Sequence, residues 1–183
     1  HAPKLPSYNL QSVVDVASGL IIHHDVFSDA NDSHLLHPVS LAAKAVVDAD
    51  ELHVLTDGGY SHAEEGARCE LDAITVSAPT KRGAMNTEHF RPTQFLYDED
   101  SDTIRCLGGH SLRPSGKHTR NRAIRYRTSA CKTCALKPLC TPGAQRTIHR
   151  LLDQGALDRM EARIYADPSL MRIRRCTVEH PFG

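Results

Sequence analysis

The alternation of strand and helix signals in this chain stops at Pro79 and returns only at Gln154, and that interruption constrains its fold most. Ahead of the break the signals are regular. Tyr8 to Val14 alternates apolar and polar residues, as a half-buried strand does. Ser18-Gly19 reads as a turn and Leu20 to Phe27 as the returning strand. Ser28 to Ser33 is a polar loop with several candidate helix caps, and Leu35 to Val47 is a helix with Pro38 near its first turn. Glu51 to Thr56 is a short strand broken by Asp57-Gly58-Gly59. Ser61, with Glu64 three residues on, forms the capping box of a helix reaching Leu71. Ile74 to Ala78 is a last strand. The order β-β-α-β-α-β predicts a mixed α/β sheet with helices on its faces.

Residues 80–150 are rich in Gly, Pro, Ser, Thr and Arg, with little periodicity. A bare loop of that length does not belong in a compact domain, so the stretch is an expected insert with its own staple. From Gln154 the helical period resumes through Leu157, Met160 and Ile164. Asp167 and Pro168 then open a final helix reaching Glu179. The expected organisation is therefore a core over 1–79, a Cys-rich insert over 80–150, and core helices over 151–183. The chain starts at His1 rather than Met, and it is expected to be a piece of a longer protein.

The staple is expected to be metal. Cys131-Lys132-Thr133-Cys134 is a C-x2-C knuckle, Cys140 follows it, and Cys106 lies upstream beside Gly108-Gly109. Four thiols at that spacing suit tetrahedral Zn²⁺. The insert looks too poor in apolar residues to fold unaided, so the ion would supply folding energy. His110, His118 and His149 are alternatives for one ligand, and free thiols or disulfides are the rival readings. Cys69 and Cys176 fall inside predicted helices and read as small core residues.

A net charge of zero hides an asymmetry. Residues 1–100 carry 6 Lys+Arg against 16 Asp+Glu, and residues 101–183 carry 16 against 6. The basic half is the electrostatic footprint of nucleic-acid binding, unless the two halves simply neutralise each other. Mean hydropathy is −0.39, and no run approaches the ~18 apolar residues of a membrane span. No leader is visible, and a cytoplasmic setting without a membrane partner is expected.

Asp57 ends a strand ahead of two glycines, where a carboxylate can face the crevice above an α/β sheet. Glu179 closes an arginine-rich helix. Alone, the first is also a turn residue and the second a solvated carboxylate. The surrounding words add to this. Thr56-Asp57-Gly58-Gly59-Tyr60-Ser61 resembles the [A/T]-D-x-G-Y-x segment of bacterial insertion-sequence transposases of the DDE class. Val178-Glu179-His180-Pro181-Phe182 resembles their V-E-H-x-F segment. Tyr8 to Asp15, Asn31 to Leu36, Tyr97 to Cys106, and Cys131 to Thr141 resemble further segments of one branch, in the same order.

That resemblance implies an RNase H-like fold, a mixed five-stranded sheet with flanking helices; the cysteine spacing adds the expectation of a zinc-ribbon-like insert interrupting it. It also implies phosphoryl transfer in DNA transposition, with Asp57 and Glu179 as catalytic ligands of Mg²⁺ or Mn²⁺. The implied partners are DNA, as transposon ends and target, and further copies of the chain in a synaptic complex. Arg172, Arg174, Arg175 and His180 are expected to contact the DNA backbone, by chemistry rather than motif. In the family the first catalytic Asp lies on a strand before the Tyr8–Asp25 hairpin. The chain is expected to start after it and to be inactive alone, with Asp15 a hairpin-turn residue. The alternative function is a non-catalytic, zinc-stabilised nucleic-acid-binding module. A hydrolase built on Asp57 with His62 or His180 finds no G-x-S-x-G elbow in its support.

Overall fold

Alternation over Asn9–Val14 produces strand β1, and a turn led by Asp15 returns the chain as its antiparallel partner β2 (Ile21–Phe27). In the turn, Asp15 Oδ2 accepts from the Ser18 amide at 2.8 Å and from its hydroxyl at 2.6 Å, and Gly19 supplies φ +70°. Asp15 is thus the turn residue that its position suggests. The structure is a computed structural model describing residues 8–80 and 88–179; these divide into two compact units, one of residues up to 81 and from 153 on, the other of residues 82–152.

In the first unit, α1 (Leu36–Val46) leads to β3 (Leu52–Leu55), and α2 (Ala63–Leu71) leads to β4 (Ile74–Ser77), parallel to β3. The helices α4 (Gln154–Ala166) and α5 (Ser169–Glu179) complete the unit. Its core joins Leu36, Cys69, Ile74, Val76, Ala78 and Met160. Helix α4 is tied to this core by charge: Arg159 grips Glu70 with two bonds of 2.8 and 2.6 Å, and Arg163 reaches the Val76 carbonyl at 2.7 Å.

Several expectations need correction. The core does not form one five-stranded sheet among the described residues; β1–β2 and β3–β4 are separate two-stranded sheets. Ser61 does not cap α2. Its hydroxyl donates to the Pro79 carbonyl at 2.6 Å, which ties the helix entry to the end of β4 instead. Cys176 is exposed on α5, whereas Cys69 is fully buried as expected.

The second unit holds the five-stranded sheet, all antiparallel, in the order β5 (Leu96–Asp98), β6 (Thr103–Arg105), β7 (Ser111–His118), β8 (Ala123–Arg127), β9 (Ile148–Leu151). A four-residue helix, α3 (Lys137–Cys140), precedes β9. Contrary to the sequence expectation, the unit has an apolar centre of its own, made by Phe95, Ile104, Leu112, Tyr126 and Ile148. The side chains come from short strands interrupted by turns, so no single window of sequence shows their period.

Candidate functional site

Asp57 leaves β3 in extended backbone and caps the one-turn helix Gly58–Tyr60, its Oδ1 accepting from the Gly59 amide at 2.7 Å. That carboxylate has a neighbour that sequence reading left in the polar loop. Asp32 Oδ1 accepts from Asn9 Nδ2 at 2.7 Å and from Gln11 Nε2 at 3.0 Å. A Cβ placed on Gly59 would stand 2.7 Å from Asp57 Oδ1 and 3.5 Å from Asp32 Oδ2. Both acids therefore face one small space, which only a residue without a side chain leaves open. Gln11, itself buried, accepts from the Tyr60 hydroxyl, so the network of Asn9, Gln11 and Asp32 reaches the one-turn helix that Asp57 caps. Burial, followed by the Asp32 and Asp57 charges, pushes the Tyr60 phenol up to about 12, so it remains a donor at neutral pH. The pairing of Asn9 and Gln11, two apart on one strand face, was the available signal for a polar site beside β1.

From α5, Arg174 Nη2 donates to Asp57 Oδ2 at 3.0 Å across 117 positions of chain. Its guanidinium, expected on DNA, is here partnered by the acid expected on metal. Arg172 and Arg175 on the same helix are exposed. Glu179 is the last described residue of that helix, five beyond Arg174; its side chain and all of His180 lie outside the described residues. A cavity of about 360 Å³ borders this site. Consecutive residues of β1 and its turn, Leu10–Val16, line it, as do β3 and the Thr56 that follows it. Tyr60, residues Leu36, Val39 and Ser40 of α1, and Arg174, Thr177 and Val178 of α5 also line it. Among the described residues, the strands β1 and β3 each have one paired neighbour and do not pair with each other.

The second unit presents a basic surface. Arg113 lies opposite Arg127, and Arg125 opposite His149. By alternation these four occupy the sheet face away from Leu112, Tyr126 and Ile148. Like charges directly opposite one another cost stability. The arginines of the first unit are disposed differently: Arg159, Arg163 and Arg174 all meet acids of the first hundred residues.

The oxygen donors Asp32 and Asp57 suit a hard divalent ion, which takes one or two carboxylates and fills its remaining positions with water or phosphate. Among the described residues, no three His, Cys, Asp or Glu side chains are grouped as a metal site. No helix among them is long and apolar enough to cross a membrane. Comparison with protein-family models, curated proteins and solved structures returns no match to the chain.

Proposed function

We propose that the first unit is part of an RNase H-like catalytic core of a DDE-type DNA transposase, acting in metal-dependent phosphoryl transfer. The observation that carries the reading is the contact of Arg174 with Asp57, which joins the helix ending in Glu179 to the C-terminal end of β3. The gap between β1 and β3 supports it too. The resemblance calls for one further strand, bearing the first catalytic Asp, and a strand in that gap would merge both small sheets into one.

In this reading Asp57, Glu179 and the upstream Asp hold Mg²⁺ or Mn²⁺, with Asp32 alongside. The ion supplies Lewis-acid activation of a phosphodiester. The chain's own residues do the rest. Gly59 holds the Asp57 carboxylate in position through its amide. Tyr60 remains protonated and fixes Gln11, which in turn steadies Asp32. Arg174, which donates to Asp57 Oδ2 in this structure, would be the residue free to take a DNA phosphate were Asp57 to hold an ion. Arg172, Arg175 and the sheet face of Arg113, Arg125 and Arg127 bind backbone phosphates, without sequence readout.

The test uses the chain extended upstream by its native sequence, with DNA carrying the element's ends. Strand cleavage should require Mg²⁺ or Mn²⁺, and Asp57→Ala or Glu179→Ala should abolish it while leaving DNA binding intact. Cleavage that survives both substitutions overturns the reading. Binding should weaken steeply with salt, and Arg113→Gln should reduce the salt slope by about 1, as one lost phosphate contact does. A metal-independent chain that binds DNA with this salt dependence would instead favour the non-catalytic module.

A further inference from the structure

Of the six cysteines, Cys69 is a core residue of α2 and Cys176 is exposed on α5. The other four, Cys106, Cys131, Cys134 and Cys140, all line one pocket of the second unit. They arrive from the end of β6, from the turn after β8, and from the end of α3. An ideal Cβ on Gly108 would lie 3.3 Å from Cys134 Sγ and 3.7 Å from Cys106 Sγ, so these sulfurs share one small space although 28 positions apart. All four are free thiols.

The backbone is shaped around them. The Cys106 carbonyl accepts from the Gly109 amide at 2.9 Å, and its amide donates to the His110 carbonyl at 3.0 Å. Gly109 sits at φ +77°, where a side chain would be strained. The Cys134 carbonyl accepts from the Lys137 amide at 3.1 Å, a second tight turn led by a cysteine. Arg146 then closes the rim, donating to the Cys140 carbonyl and to the Phe90 carbonyl, each at 3.0 Å.

We propose that Cys106, Cys131, Cys134 and Cys140, which line one pocket but are not yet grouped as a metal site, close on one structural Zn²⁺ and so clip the β6–β7 turn to the 131–140 segment. Zinc prefers soft thiolates and a closed tetrahedral shell, and four cysteines on tight turns supply both. Binding takes the four thiol protons into solvent and leaves a site of net charge −2. Arg146 and Lys137 beside the pocket, with Lys132 in the knuckle, offset that charge.

The experiment measures metal on the whole chain, purified without chelator and reconstituted with Zn²⁺ alone or Co²⁺ alone. About one zinc per chain is expected, and the Co²⁺ form should show the intense visible absorption of a tetrahedral thiolate site. Cys131→Ser and Cys134→Ser should lose the ion, whereas Cys176→Ser and His110→Ala should retain it. If the serine variants fail to fold, thiol labelling of the unmodified chain decides. Zinc should protect four thiols from alkylation, and a chelator should expose those four. A chain that takes up neither ion, a disulfide within the four under reducing conditions, or loss of metal on His110→Ala overturns the proposal. Any of these outcomes leaves the reading of Asp57 and Glu179 untouched, since that rests on the other unit.

Discussion

Gly59 decides where the Asp57 carboxylate can stand. Its amide holds Oδ1, and any Cβ there would meet the same oxygen at 2.7 Å. Gly59→Ala should therefore push the half-exposed Asp57 carboxylate off its capping bond and cost about 1 kcal/mol. Urea denaturation measures the loss. The same substitution on an Asp57→Ala background should cost much less, because its clashing atom is gone. Equal costs in both backgrounds would show that the glycine serves the turn and not the carboxylate. Asp57 itself was legible in the sequence as an acid at a strand end. Asp32 was not: it reads as one of several polar loop residues, and its role comes from Asn9 and Gln11 more than 20 positions away.

At the level of elements, α2 and α4 are joined by the paired bonds of Arg159 to Glu70. Those bonds hold the Glu70 carboxyl below its ordinary 4.5, against the opposing effect of burial. A carboxylate depressed on folding stabilises fully above its unfolded value, and that contribution disappears as pH falls through the lower folded value. Both side chains are part-exposed, so Glu70→Gln should cost about 1 kcal/mol or less at pH 7. Urea midpoints of the two proteins should converge below about pH 4. A difference that persists in acid would assign the effect to shape instead of charge. The helices and strands of the first unit were legible because their periods are long and uninterrupted. Ser61 misled because a capping box and a tertiary hydrogen bond compete for one hydroxyl, and the Pro79 carbonyl wins.

Across the whole molecule, charge follows the division into units. Residues 82–152 carry 13 Lys+Arg against 5 Asp+Glu, and the sheet face opposite their apolar centre holds Arg113, Arg125 and Arg127. That centre is separate from the core around Ile74 and Met160. Leu112 is fully buried in it, so Leu112→Ala should cost about 2–5 kcal/mol by the cavity it leaves. Hydrogen exchange should show the loss over β5–β9 and leave α2 and α4 unchanged. Equal loss in both places would mean that the units unfold as one.

The sequence by itself determined the local elements of the first unit, the turn at Asp15, the burial of Cys69 and the grouping of cysteines after Pro79. Each depends on residues within a few positions of one another, where period and side-chain chemistry act directly. Only the tertiary structure decided that β1 and β3 stand apart across a cavity, that Arg174 meets Asp57, and that the insert builds a five-stranded sheet. Those outcomes depend on which strand edges and charges meet after the chain closes on itself. Separations of tens of residues leave no periodic trace for a local reading to follow.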